Sequence, residues 1–359
     1  MNVEALPPVT RLSDRVLRIL GQNPGKFTLQ GTNTYLIGSR PPWILVDTGE
    51  GKEDYIPLLR QTLRSEAPGA TGGRLISDIV ITHRHGDHHS GLPSVLNVLR
   101  KLWDPDRPYV PPRLHKYPLD DPTTAFIRKS TSLPDDSLQK TMTWLKENPD
   151  LYEKAEQGEQ SPYFHDLVDG QIMQTADSGT TLKVIHTPGH TSDSVSLWLE
   201  EDYALFTGDG ILGHGTAVFE DLSVYLDSLH QLQGLLASKD PDKAIHIHPG
   251  HGQVVEDGRA KLEEYIKHRL EREKEIIAVL ATPQPAGADR DGWTIEQVVA
   301  VVYATYPQSI WQAAGYSVAM HLLKLEKEGR VERDKKSEGM EMRTDIWKWA
   351  PGAERVSKV

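Results

Sequence analysis

A chain of 359 residues has room for one large domain and a smaller one. Its 40 Lys and Arg against 51 Asp and Glu give a formal net charge of −11, which excludes attachment to nucleic acid through bulk charge and leaves only a local basic patch for that purpose. There is no cysteine, so disulfides and thiolate metal ligands are excluded, as fits a reducing compartment. Residues 1–20 mix Glu4 and Asp14 with Arg11, Arg15 and Arg18, and no apolar run is long enough to span a bilayer. The expectation is a protein without signal peptide or membrane contact, located in the cytoplasm, with the mitochondrial matrix as the alternative.

Residues 9–20 alternate polar and apolar side chains and predict a half-buried strand. A glycine-bounded loop over 21–31 follows, and residues 35–37 and 43–46 predict paired strands around the turn at 38–42. The second strand runs into Asp47-Thr48-Gly49. Residues 77–82 predict another strand, which delivers His83-Arg84-His85-Gly86-Asp87-His88-His89, and the apolar spacing over 91–102 predicts a helix after it. From 103 to 161 the character changes, with prolines at 105, 108, 111, 112, 118, 122 and 134; residues 135–146 predict a helix and the rest loop. Such an insertion is either a surface embellishment or a lid over a site.

Alternation returns over 181–186, a strand that runs into His190, and over 194–199 and 204–206, the latter delivering Asp209. Helices are predicted over 222–236 and 259–280, and between them a strand over 244–248 delivers Pro249-Gly250-His251-Gly252. Residues 281–291 read as a linker. Beyond it, 294–303 and 310–328 are helical in period and 330–349 predicts a small hairpin. The expected organisation is a catalytic unit over 1–280, the linker over 281–291 and a small helical unit over 292–359.

His83, His85, Asp87 and His88 crowd six residues directly after the apolar run of Ile76, Ile79, Val80 and Ile81. Imidazole and carboxylate at this density build a core badly. On a tight loop, the alternate residues His83 and His85 can face one point and Asp87 with His88 a second, which is what two borderline cations require. A polar surface loop rich in histidine is the bland alternative. It does not account for a metal-capable residue following a strand at four places, the later ones being His190, Asp209 and His251.

His83-Arg84-His85-Gly86-Asp87-His88 resembles the His-X-His-X-Asp-His signature of the metallo-β-lactamase fold superfamily. His190, Asp209 and His251 resemble its later ligands in order, and Asp47 its early aspartate; the resemblance covers nearly all of residues 9–280. Asn23-Pro24-Gly25, the stretch 28–35, Gly213-His214-Gly215-Thr216 with Val218-Phe219-Glu220-Asp221, and the helical C-terminal piece are similar to the lactamase-β-2-like branch. That branch holds animal endoribonucleases and the fungal thioesterases of polyketide biosynthesis, which release products from carrier proteins. The resemblance implies an α+β fold, an αββα sandwich with a small C-terminal winged-helix-like domain. It also implies that His83, His85 and His190 hold one metal and Asp87, His88 and His251 another. Asp209 would bridge them, Asp87 would take up or return a proton and Asp47 would orient a ligand. Two Zn2+ are expected, with Mn2+ or Fe2+ as alternatives.

Among the remaining polar residues, His214 and Asn33 are expected to contact substrate, His89 to face solvent as a bystander, His186 and His246 to be buried structural histidines, and His248 to support the turn after it. The leading functional expectation is a metal-dependent hydrolase that attacks a thioester or related acyl substrate, free or carrier-protein-bound, with a metal-bound hydroxide. The alternative is a metal-dependent endoribonuclease cleaving single-stranded RNA. For RNA one wants a basic groove. Arg330, Arg333, Lys335, Lys336, Arg343 and Lys348 are interleaved with Glu326, Glu328, Glu332, Asp334, Glu338 and Glu341, a pattern that more often makes a solvated face. A third reading, a C-terminal piece that docks a protein partner while the metals are absent or structural, conflicts with the intact ligand set. The oligomeric state is left open.

Overall fold

The computed structural model describes residues 4–67, 73–119, 136–156, 161–177, 179–283, 292–334 and 339–350. The first sheet has seven strands in the order β1 to β7. They are β1 (Val9–Arg11), β2 (Val16–Leu20), β3 (Asn33–Ile37), β4 (Trp43–Val46), β5 (Ile76–Ile81), β6 (Arg113–Lys116) and β7 (His165–Asp166). Pairing is antiparallel from β1 to β4 and parallel from β4 to β7. The second sheet comprises β8 (Ile172–Gln174), β9 (Thr181–His186), β10 (Val195–Leu199), β11 (Ala204–Gly208) and β12 (His246–Pro249), in the order β12-β11-β10-β9-β8.

Strand alternation decides how these sheets stack. Ile44 and Val46 of β4 and Val80 of β5 point between the sheets, where they meet Leu182, Val184, Leu197, Ala204 and Phe206. Their odd neighbours Leu45, Ile79 and Ile81 point the other way, onto α1 (Tyr55–Ser65), α3 (Leu92–Leu102) and α4 (Ser137–Glu147). On the far side, Leu205 and Ile247 pack under α5 (Leu222–Ala237) and α6 (Gly258–Leu280). The result is an αββα sandwich whose central strands are buried on both faces, so they read as continuous apolar runs.

The C-terminal unit follows the expected helices and hairpin: α7 (Ile295–Val302), α8 (Trp311–Lys327) and the paired β13 (Val331–Arg333) and β14 (Trp347–Trp349). Thr294 caps α7 in a reciprocal box with Gln297. Val298, Val318, Leu322 and Trp347 share one core with Ile276, Ile277 and Leu280 of α6, so this unit is packed against the sandwich. No helix among the described residues is long and apolar enough to cross a membrane.

Three expectations change. Residues 9–20 are a hairpin rather than one strand, because Ser13 Oγ accepts the amides of Arg15 and Val16 and turns the chain. The helix α1 goes unread in the sequence although Tyr55, Leu59 and Leu63 recur at helical spacing. Within 103–161, the expected helix is α4, but β6 is a strand of the first sheet where loop is expected, and Leu145 and Tyr152 lie in the core beneath it. Residues 120–135 and 157–160 of that segment, and 284–291 of the expected linker, lie outside the described residues.

Candidate metal centre

Strand ends carry the polar residues to one edge of the sandwich. After β4, Asp47 adopts a left-handed φ of 58°, a conformation aspartate tolerates better than most residues. Its carboxylate accepts the Thr82 amide at 2.8 Å, the Thr82 hydroxyl at 2.9 Å and His88 Nδ1 at 2.7 Å. After β5 come His83 and His85, and then the short helix α2 (Gly86–His89), which presents Asp87 and His88. His190 follows β9, Asp209 follows β11 and His251 follows β12. Gly250 permits the last approach, since a Cβ there would lie 2.4 Å from Asp209 Oδ1 and 2.9 Å from His88 Cε1.

Side chains fall into two adjoining groups: His83, His85, His190 and Asp209 in one, Asp87, His88 and His251 in the other. In the first, His83 Nε2 and His85 Nδ1 are 3.1 Å apart, His190 Nε2 and His83 Nε2 3.2 Å, and His190 Nε2 and His85 Nδ1 3.0 Å. In the second, Asp87 Oδ2 stands 3.3 Å from His88 Nε2 and 3.1 Å from His251 Nε2. Asp209 lies between the groups, with Oδ1 3.4 Å from His88 Nε2 and Oδ2 3.3 Å from His251 Nε2 and 3.8 Å from His190 Nε2.

Outer hydrogen bonds set the tautomers. The Thr82 hydroxyl donates to Asp47, so its oxygen accepts from His83 Nδ1 at 3.0 Å and leaves His83 Nε2 with its lone pair. His190 Nδ1 donates to the Val218 carbonyl at 2.7 Å, and its Nε2 lone pair faces that of His83. His88 Nδ1 donates to Asp47, which turns Nε2 toward Asp87 and Asp209; His88 Nε2 and Asp209 Oδ1 are buried without a hydrogen-bond partner. Buried lone pairs facing one another are unfavourable unless a cation sits among them. Donors sharing one tetrahedral cation at ~2.0–2.1 Å stand about 3.3 Å apart, close to the spacings here, so the residues fit metal ions.

Charge follows the same division. Burial, reinforced by His88 and its other histidine neighbours, holds His83 well below the usual imidazole range; burial and His190 bring His85 down to about 3, and burial lowers His190. In the second group burial opposes charge, but Asp87, Asp47 and Asp209 outweigh it and raise His88 well above its ordinary value. His251 is raised to about 9, burial being outweighed by Asp209. Against their own desolvation, Asp87 and Asp209 are held below the carboxylate range by His88 and His251. The three imidazoles of the first group are therefore neutral, while the two of the second stand against the ionised carboxylates of Asp87 and Asp209.

Other expectations are relocated. Asn33 is buried; its amide donates to the Pro249 carbonyl at 2.8 Å and the Gly252 carbonyl at 2.9 Å, holding the His251 loop instead of facing substrate. His214 is exposed on the loop whose Gly213 amide donates to the His251 carbonyl. His89 is no solvent-facing bystander: it is fully buried, bonded to the Arg84 carbonyl and to Thr141 of α4 at 3.0 Å each. A histidine beside a ligand loop is easily discounted because the partner that buries it is distant in sequence. His186 and His246 are half-buried rather than buried, the first stacked on Tyr117 and bonded to the Ser192 carbonyl, the second paired with Glu256. His248 is buried, stacked on Phe206, while the turn after it is held by the Tyr35 hydroxyl on the Pro249 carbonyl. Thr82, Arg84 and Glu220 carry no ligand signal in the sequence, yet they surround the donors.

A family model described as the metallo-beta-lactamase superfamily matches residues 27–251, and one described as the beta-lactamase associated winged helix domain matches 294–341. The beta-lactamase-like protein 2 homolog of Caenorhabditis elegans is 40% identical over 326 residues, 90% of this chain and 88% of that protein. The atrochrysone carboxyl ACP thioesterase of Aspergillus chevalieri is 35% identical over 310 residues, 86% of this chain and 80% of its own length. In fold, a beta-lactamase domain protein from Burkholderia ambifaria matches with a TM-score of 0.63 at 18% identity, covering 95% of this chain and 93% of that one.

Proposed function

Because the chain belongs to the metallo-β-lactamase superfamily, in its lactamase-β-2-like branch, and is a hydrolase of that superfamily with a histidine and aspartate cluster able to bind metal, we propose that it is a dinuclear zinc thioesterase. Its substrate in this reading is an acyl thioester carried by an acyl carrier protein. The observation that carries the proposal is the pair of adjoining donor groups with Asp209 between them. Bound cations supply a Lewis acid and an activated water, the chemistry of metal-assisted hydrolysis.

The chain's own residues do the rest. His83, His85 and His190 would hold one ion, Asp87, His88 and His251 the other, and Asp209 would serve both. Asp47 fixes His88 directly and His83 through Thr82. In this reading Asp87, whose Oδ2 accepts the Thr32 hydroxyl at 3.1 Å and which is more exposed than Asp209, takes up a proton and returns it to the leaving thiolate. In the same reading residues 1–280 are the catalytic unit, 281–291 the connection and 292–359 the winged-helix unit.

Two features favour an acyl substrate over RNA. The loops whose Gly31 and Val218 carbonyls face His251 and His190 also carry exposed apolar side chains, Phe27 at 70% and Val218 at 52%, a surface that suits an acyl chain better than a phosphodiester. Three cations of the C-terminal unit are spent on carboxylates: Arg330 on Glu273 and Glu328, Arg333 on Glu326 and Asp345, Lys327 on Asp221. Lys335 and Lys336 lie outside the described residues. The deciding experiment offers the zinc-loaded protein an acyl thioester in one reaction and a single-stranded RNA in another, each repeated after chelation. Chelator-sensitive thiol release with intact RNA is expected; RNA cleavage with an inert thioester overturns the substrate class.

A further inference from the structure

The loop over 213–221 faces the metal centre on one side and the last helices on the other. Inward, the Val218 carbonyl takes the proton of His190 Nδ1. The Glu220 carboxylate forms an ion pair with Arg84, the residue between His83 and His85; their side chains are 10% and 8% exposed. Outward, Arg269 of α6 donates to the Ala217 carbonyl at 2.7 Å and lies 4.7 Å over the Phe219 ring, and the Tyr265 hydroxyl donates to the Gly215 carbonyl at 3.0 Å. From α8, Lys327 reaches Asp221 at 2.7 Å. Tyr316, also on α8, buries its hydroxyl without a hydrogen-bond partner, within the fields of Glu220 and Arg84.

Neither Arg84 nor Glu220 is a ligand. A desolvated pair of this kind brings little net stability to a fold, but its attraction is strong and directional where water is excluded. Here it joins the segment bearing His83 and His85 to the loop that orients His190. We propose that Glu220 is a positioning residue: its pairing with Arg84 sets where His83 and His85 stand relative to His190. Tyr316 of α8 shields that pair from water. The C-terminal unit thus raises the cation affinity of the three-histidine group without supplying a ligand. The inference rests on the two-ion reading above.

Titration of the metal-free full chain with Co2+ alone, followed by visible absorption and by heat, reads the number of ions and the affinity of each step. The melting midpoint of the metal-free protein is read alongside. The wild type should bind two ions. Glu220→Gln should weaken one step by roughly ten- to hundredfold, the usual scale for residues that orient ligands, and leave the other within about threefold. Glu220→Asp should recover part of the loss, and Tyr316→Ala should weaken the same step to a lesser degree. Lys327→Ala, which touches the same loop at its exposed edge, should leave both steps unchanged. Agreement of Glu220→Gln with wild type at both steps overturns the inference, and so does a fall of both steps that tracks a lower melting midpoint. If Glu220→Gln does not fold, Glu220→Asp and Tyr316→Ala decide: weakening of one step supports the inference and unchanged steps overturn it. A wild type that binds fewer than two ions overturns the two-ion reading, and this inference falls with it; two ions in the wild type with an indifferent Glu220→Gln overturns this inference alone.

Discussion

Single residues in this protein act through the lone pairs they aim. Asp209 is the only carboxylate among the described residues that stands within 4 Å of histidines from both groups, so Asp209→Ala should lose both ions and abolish turnover, read as metal content after gel filtration and as thiol release. Near-normal activity would sink its bridging role. His89 belongs to a different class. Its buried ring holds Arg84 and Thr141, so His89→Ala should cost about 1–3 kcal/mol in denaturant titration of the metal-free protein, against about 0.5 kcal/mol or less for an exposed histidine. His248 supplies a pH signature. Burial, then His246 and Arg18, depress it to about 3, so the folded state keeps it neutral while the unfolded chain protonates it near its ordinary value of about 6.5. Its contribution is complete above that value and is lost as pH falls from there toward 3; His248→Phe should flatten that part of the stability profile measured by denaturant melts. The donors themselves are legible in the sequence because each follows a strand. Arg84, Glu220 and the Val218 carbonyl are not, because only folding brings residue 84 to residue 220 and makes a main-chain oxygen a partner for His190.

Among the elements, the strands that deliver donors are the easiest to read. β5, β9 and β11 announce themselves through β-branched or aromatic runs ended by glycine, threonine or histidine. β6 is hard to read because it offers a single aliphatic residue, Leu114, between polar neighbours and lies among prolines; it is a strand because β5 and β7 already supply its partners. α1 is missed for the opposite reason, a narrow apolar stripe diluted by arginines and glutamine. Turns at the ends of elements carry the strictest demands. Gly250→Ala would drive a methyl group into Asp209 and His88, so the variant should fold with the C-terminal unit intact yet bind fewer ions than wild type in a dialysis assay. Thr294→Ala, which opens the box that starts α7, should lower stability by about 1 kcal/mol without changing metal content.

For the whole molecule, composition reports the charge class and the absence of thiol chemistry, and the motif order reports the sandwich. The sequence does not show that α6, α7 and α8 share one apolar core, because the joining residues Ile276, Ile277, Val318 and Leu322 are separated by a stretch that reads as a linker. The strands β4, β5 and β11, which end at Asp47, at the segment bearing His83 and His85, and at Asp209, are walled in by a core on each face. Their amides can meet solvent deuterium only when both layers come apart together, so they should be the slowest in the molecule to exchange, with or without cations. The rigidity of the binding groups is thus supplied before any ion arrives. Chelation should leave a cooperatively melting protein, its midpoint lowered only by the mass action of the lost ligand, unlike small zinc domains that come apart when stripped.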